Sequence, residues 1–109
     1  MEILISEYDY KKRVVILTDS VYEKHISARH PELSGNIAAI RNSIIDPDAV
    51  HQSIIHDDTE LFYLECDVVP YKHSLTTVVR YDRRGEGAVR SCYITDERKG
   101  GVLYERCDD

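Results

Sequence analysis

Helix-forming sequence is confined to one stretch, residues 18–46, and this limit constrains the fold more than any other feature of the chain. The Thr-Asp-Ser at its start offers N-cap chemistry, and Ser20 and Glu23 have the spacing of a capping box. A first helix is therefore predicted to extend to about Arg29, because Pro31 disfavours helical geometry at the residue before it.

A second helix is predicted to begin at Pro31, since proline at the first helical position gives up an N–H that has no partner there anyway. Apolar side chains then recur at three- and four-residue spacing, which places them on one helical face: Ile37, Ile40, Ile44 and Ile45. The Asp-Pro-Asp at residues 46–48 ends this helix.

Strand-type sequence occupies the rest of the chain. Two β-like runs, residues 3–8 and 13–17, precede the helices and suit a hairpin. After the helices in the sequence, the pattern predicts strands at 49–55, 61–66, 75–81, 88–95 and 102–104, with a glycine-containing hairpin loop at 82–87. We therefore expect a single α+β domain over residues 1–109, with one or two N-terminal helices packed on a four- to five-stranded antiparallel β-meander.

Charge is unevenly distributed along the chain. The 14 basic and 20 acidic residues give a net charge of −6, which counts against a protein that coats nucleic acid through bulk charge. Residues 72–99, however, hold seven basic and four acidic side chains. This segment is either a local phosphate site or a solvated face.

Several features predict a cytoplasmic protein. No apolar run approaches the roughly 18 residues of a transmembrane helix, and the N-terminus lacks the basic start and apolar region of a secretory signal. The three cysteines, Cys66, Cys92 and Cys107, form no CxxC motif, and we expect them to be reduced.

The first helix carries the strongest candidate for a chemical site. At 100° per residue, His25 and Arg29 share a face with Val21 and Tyr22, the face expected to pack on the sheet. An imidazole and a guanidinium that face the sheet lose solvation and need hydrogen-bond partners to offset the loss. Such inward polar groups are typical of functional sites, but a histidine in the core with all its hydrogen bonds made gives the same pattern. His30, just before the proline, is either a cation at the helix C-terminus or a second titrating group.

The predicted strand at 88–95 carries the second candidate, with Val89, Ser91, Tyr93 and Thr95 on one face. Its hydroxyls can donate hydrogen bonds to a phosphate, or they can simply form a half-exposed face. Arg80 is either a phosphate clamp or a surface cross-strand partner, and Lys72 in the preceding loop is a weaker substrate-binding candidate. The histidines lack zinc-motif spacing, so we expect no metal and no cofactor.

Three blocks of sequence carry a family resemblance: His-Ile-Ser-Ala-Arg-His-Pro-Glu at 25–32, Asp-Pro-Asp-Ala-Val at 46–50 and Ser-Cys-Tyr-Ile-Thr at 91–95. Together they resemble the phage-associated barnase–EndoU–colicin–RelE-like nucleases, over roughly residues 15–96. The resemblance implies helices on an antiparallel sheet and metal-independent RNA cleavage. In that chemistry the ribose 2′-oxygen attacks the adjacent phosphate and leaves a cyclic phosphate.

The resemblance also implies roles for single residues: His25 as acid/base, Arg29 as phosphate clamp, Tyr93 and Thr95 as donors or positioners, and His30 as a second titrating group. The expected function is thus a toxin-like, phage-related endoribonuclease with an RNA substrate and a cognate inhibitor or antitoxin. The alternative is a catalytically silent nucleic-acid- or protein-binding module of the same fold. A homodimer could form through an exposed strand at 49–55 or at the C-terminus, and no membrane partner is expected.

Overall fold

The computed structural model describes residues 2–33, 35–65 and 74–106 and has an α+β fold built around one seven-stranded sheet. The strands lie in the order β1-β2-β6-β5-β4-β3-β7. Their bounds are β1 Ile3–Tyr8, β2 Val14–Thr18, β3 Ala49–Gln52, β4 Thr59–Leu64, β5 Ser74–Tyr81, β6 Gly87–Thr95 and β7 Val102–Glu105. The helical segments between β2 and β3 are α1 Asp19–Val21, a π-helical turn Tyr22–Ser27, a 3₁₀ turn Pro31–Leu33 and α2 Ile37–Ile45.

The α+β class is confirmed. An antiparallel meander is present as β3 to β6, but it is only part of a mixed sheet of seven strands rather than the whole sheet. The N-terminal hairpin joins the same sheet through parallel pairing of β2 with β6, in which Val15 is opposite Gly87. At the other edge β7 pairs with β3. The predicted strand at 49–55 is shortened to β3 and lies between β4 and β7, so it is not an exposed edge. The outer strands are β1 and β7.

The first helix differs from the prediction in its start and in its winding. Thr18, rather than Ser20, is the N-cap, because its hydroxyl accepts a hydrogen bond from the N–H of Val21. The helix then continues as the π-helical turn, whose hydrogen bonds span five residues. This wider turn brings Ile26, five residues after Val21, into the core, where it is fully buried.

The second helical region is two pieces rather than one. Pro31–Leu33 forms a single 3₁₀ turn that buries Leu33, and α2 starts separately at Ile37. Ile40 and Ile44 are fully buried against the sheet, as their spacing predicts. Ile45 instead remains exposed, because one more residue rotates it about 100° away from Ile44.

Both helical regions pack on one face of the sheet. The hydroxyl of Ser43 in α2 is 2.6 Å from that of Thr77 in β5, and Ile26 shares a core cluster with Cys92 of β6. We call the opposite side the open face; it carries Ile16, Leu61, Tyr63, Val78, Arg80, Ala88, Ser91, Tyr93 and Thr95. None of the helices in the described part of the chain is long and apolar enough to cross a membrane.

A β-bulge in β6 changes one predicted alignment. The register between β5 and β6 shifts so that Val79 is opposite Val89 while Val78 is opposite Ser91. Val89 therefore lies in the core and not on the face of Ser91. The predicted hairpin loop between β5 and β6 is confirmed: Gly85 has φ +82°, which suits glycine in a tight turn.

Candidate active site on the open face

The two residues at the centre of the sequence hypothesis are not buried. His25 and Arg29 are both exposed, because the π-helical turn gives the inward position to Ile26. The prediction that they face the sheet is therefore wrong. Neither has a hydrogen-bond or ion-pair partner within the described ranges, so nothing holds the two side chains together as a site.

The structure brings two other candidates together, His30 and Tyr93. Their rings are 6.2 Å apart, centroid to centroid, at an angle of 39°. The ladder of β2 and β6 ends early in β6, at Ala88, and the π-helical turn packs against β6, so His30 reaches the later part of that strand. His30 Nδ1 is also 3.6 Å from Glu32 Oε1. This distance is that of an ion pair and is too long for a hydrogen bond, and both side chains are partly exposed.

Tyr93 is half-buried among other side chains of the sheet. Burial raises the pKa of its phenol, with smaller contributions from Tyr63 and Cys92. The hydroxyl therefore stays protonated at neutral pH and acts as a hydrogen-bond donor. Ser91 and Thr95 share its side of the strand, so the predicted row of hydroxyls is present, while Val89 is absent from it.

Tyr93 and Thr95 line a cavity of about 410 Å³, which we call the tyrosine cavity. Leu61, Tyr63 and Val78 also line it. One wall is the loop at 53–56, which includes His56, and the other includes Glu97 and Lys99. A largely apolar pocket with a few polar groups is typical of small-ligand sites. Sequence reasoning missed His56 and Lys99, because they come from loops that only the fold brings together.

Arg80 lies in a second, wider cavity of about 590 Å³, the arginine cavity, which Arg83 and Arg90 also line. Its Nε is 2.8 Å from Asp58 Oδ2, so Arg80 forms an ion pair at the surface, and its role as a phosphate clamp stays a prediction. This pairing also lowers the pKa of Asp58. The cavity is close to neutral, since three carboxylates line it as well: Asp58, Asp82 and Glu86.

A buried polar cluster at the end of the N-terminal hairpin was not anticipated. The Arg13 guanidinium donates to Asp9 Oδ2 at 2.8 Å and to both oxygens of Glu60 at 2.8 and 2.9 Å. Tyr10 donates to Glu60 at 2.7 Å, and Tyr81 donates to Asp9 at 2.6 Å. We call these five residues the hairpin cluster. Its groups satisfy one another, which indicates a structural role.

Lys72, Cys66 and Cys107 lie outside the described residues, and Cys92 is buried in the core with its Sγ 3.5 Å from the hydroxyl of Thr77. Within 2–33, 35–65 and 74–106, no three His, Cys, Asp or Glu side chains are grouped closely enough to hold a metal ion. Comparison with family models, curated proteins and solved structures gave no match for this chain.

Proposed function

We propose that the chain is a metal-independent endoribonuclease that binds RNA on its open face and cleaves it beside His30 and Tyr93. The contact between these two rings supports the proposal most directly, because it joins a titratable group to a protonated phenol at the margin of an open cavity. The resemblance to phage-associated nucleases points to the same chemistry. It favours a toxin-like protein with an inhibitor partner.

The reaction needs a proton acceptor for the ribose 2′-hydroxyl and a proton donor for the 5′-oxygen that leaves. Imidazole suits such transfers because its ordinary pKa is near neutrality. The imidazole of His30 can accept the proton of the 2′-hydroxyl and then, as the imidazolium, deliver it to the 5′-oxygen that leaves, so the two transfers balance. The phenol of Tyr93 donates to a phosphate oxygen as negative charge develops there. Thr95 adds a second hydroxyl on the same side of β6.

The decisive experiment is cleavage of RNA in EDTA at low salt by the wild type, His30→Ala and His25→Ala. General acid–base catalysis contributes about 10²- to 10⁴-fold, so we expect His30→Ala to lose at least about a hundredfold in rate. His25→Ala is the matched control, because it removes an exposed histidine five residues away. We expect it to retain wild-type cleavage, and the products to end in 2′,3′-cyclic phosphate. Circular dichroism checks that each variant is folded.

Loss of activity in His25→Ala but not in His30→Ala would show that the site is on the exposed helix and would refute this location. The second candidate function is a nucleic-acid-binding module without catalysis. The exposure of His25 and Arg29, which leaves the family-derived pair unassembled, favours that alternative. It predicts RNA binding at low salt by a folded wild type that produces no cyclic phosphate.

A further inference from the structure

The tyrosine cavity holds an unusual combination of exposed apolar side chains and fixed walls. The side chains of Ile54 and Ile55 are 70% and 78% exposed, which is high for large apolar residues. Both line the cavity, as Tyr93 does. Single exposed isoleucines need no explanation, but two adjacent ones beside an apolar cavity mark a binding surface.

The loop that carries these isoleucines is held in place by its own hydrogen bonds. The hydroxyl of Ser53 accepts from the N–H groups of Ile55 and His56 at 3.2 and 3.3 Å. The side-chain amide of Gln52 donates to the carbonyls of His56 and Thr59 at 3.1 and 3.0 Å. The wall therefore presents its apolar side chains to the cavity before any ligand arrives.

The second wall, which carries Glu97 and Lys99, is also fixed to the sheet by hydrogen bonds. The N–H of Lys99 donates to the hydroxyl of Tyr63, and its carbonyl is 3.2 Å from Nδ1 of His51. Gly100 has φ +90° and lies so close to the carbonyl oxygen of Gln52 that a Cβ would collide with it. The two walls are thus connected through Gln52, and a flat ligand between them would lose little entropy to ordering of the protein.

We propose that the tyrosine cavity is a nucleobase-binding subsite, in which one base of the RNA inserts between Tyr93 and the Ile54–Ile55 wall. The inference rests on the proposed function, because it supplies the substrate contacts of that same site. A cavity of about 410 Å³ with an apolar floor at Leu61 and Val78 suits a planar base. Stacking of a base on an aromatic ring is sequence-tolerant and is a main source of affinity for single-stranded RNA.

The charges at the cavity also match a nucleotide. Lys99 and His56 line it and can approach the phosphate attached to an inserted base, while the floor itself is uncharged. Glu97 is the one carboxylate that lines the cavity among the residues that the structure describes; its Oε2 is 3.5 Å from the ammonium of Lys99, and its side chain is well exposed. Glu97 can accept a hydrogen bond from a ring N–H or an amino group of the base.

The test measures binding of the four nucleoside 3′-monophosphates in EDTA by calorimetry and by isoleucine-methyl NMR. We expect an inserted base to shift the methyl signals of Ile54 and Ile55 through its ring current. The double variant Ile54→Ala/Ile55→Ala should weaken binding about tenfold, and raise KM for RNA cleavage rather than lower kcat. Ile3→Ala is the matched control, since Ile3 is exposed to 56% on β1, and it should bind as the wild type does.

Failure of this inference is distinguishable from failure of the proposed function. If the wild type cleaves RNA but no monophosphate shifts the two methyl signals, or the double variant binds and cleaves unchanged, the nucleobase subsite is refuted while the nuclease stands. If monophosphates bind in a manner that depends on Ile54 and Ile55 but no RNA is cleaved, the subsite stands and the nuclease is refuted.

Discussion

Replacing Arg13 with leucine should destabilise the protein far more than replacing any exposed arginine. The guanidinium makes three hydrogen bonds to the carboxylates of Asp9 and Glu60, whose side chains are only 0% and 10% exposed. Removing one partner of a buried ion pair costs about 3–5 kcal/mol. The lower end applies here, because Asp9 keeps the N–H groups of Lys11 and residue 13 and the hydroxyl of Tyr81. We therefore expect a loss of about 3 kcal/mol and a fall in Tm of roughly 12–24 °C.

Arg80→Leu is the internal control for this measurement. Arg80 and Asp58 form an ion pair of the same length, 2.8 Å, but their side chains are 59% and 36% exposed. Exposed pairs contribute about 0–1 kcal/mol and weaken in salt. Urea unfolding followed by circular dichroism at pH 7 gives both values. A loss below about 1 kcal/mol for Arg13→Leu, or a loss equal to that of Arg80→Leu, would refute the view that burial of the hairpin cluster sets the difference.

Two further predictions concern buried hydroxyl groups. Thr76 Oγ1 is fully buried and has no hydrogen-bond partner among the described residues. Thr76→Val should therefore leave the free energy of unfolding in urea unchanged or raise it by about 1 kcal/mol. A clear loss of stability would show that the hydroxyl has a partner. Burial and the hydrogen bond to Asp9 raise the pKa of Tyr81 in the folded state, and burial and Glu60 do the same for Tyr10. The folded protein therefore holds these protons more tightly than the unfolded chain, and the free energy of unfolding should fall as the pH rises above about 10, the ordinary tyrosine pKa. Tyr81→Phe should make this fall less steep. A wild type whose stability is constant from pH 9 to 11 would contradict the prediction.

The sequence predicted those elements that rest on local signals. The isoleucine spacing located α2, and the glycines between β5 and β6 located their hairpin, because period and turn chemistry are local properties. The face of the first helix was predicted wrongly for a specific reason. A rotation of 100° per residue places His25 towards the sheet, but the π-helical turn is wound more widely, so Ile26 takes the buried position instead.

Contacts between residues far apart in the sequence could not be predicted from such local signals. Parallel pairing of β2 with β6 joins segments about 70 residues apart, and the strands themselves carry no signal for it. The tyrosine cavity likewise depends on loops that meet only in the folded sheet, so His56 and Lys99 were not recognised as part of a site that includes Tyr93. The sequence identifies single hydroxyl and histidine residues as candidates for the site. It does not show which of them lie close together in the folded protein.

The net charge of −6 is a poor guide to what the open face can bind, because much of the acidity is elsewhere. Asp9 and Glu60 share Arg13 on the helix side of the sheet, and Asp46 and Asp48 share Arg106 near the edge strand β7. Among the described residues, three arginines and three carboxylates line the arginine cavity, and in the tyrosine cavity Lys99 is paired with Glu97. Charges beyond about 10 Å are largely screened at 0.1 M salt, so a bound strand experiences these nearly neutral surroundings rather than the total. Affinity for RNA on such a face must come mainly from stacking and hydrogen bonds, which is why the apolar wall beside Tyr93 matters more than the charge count.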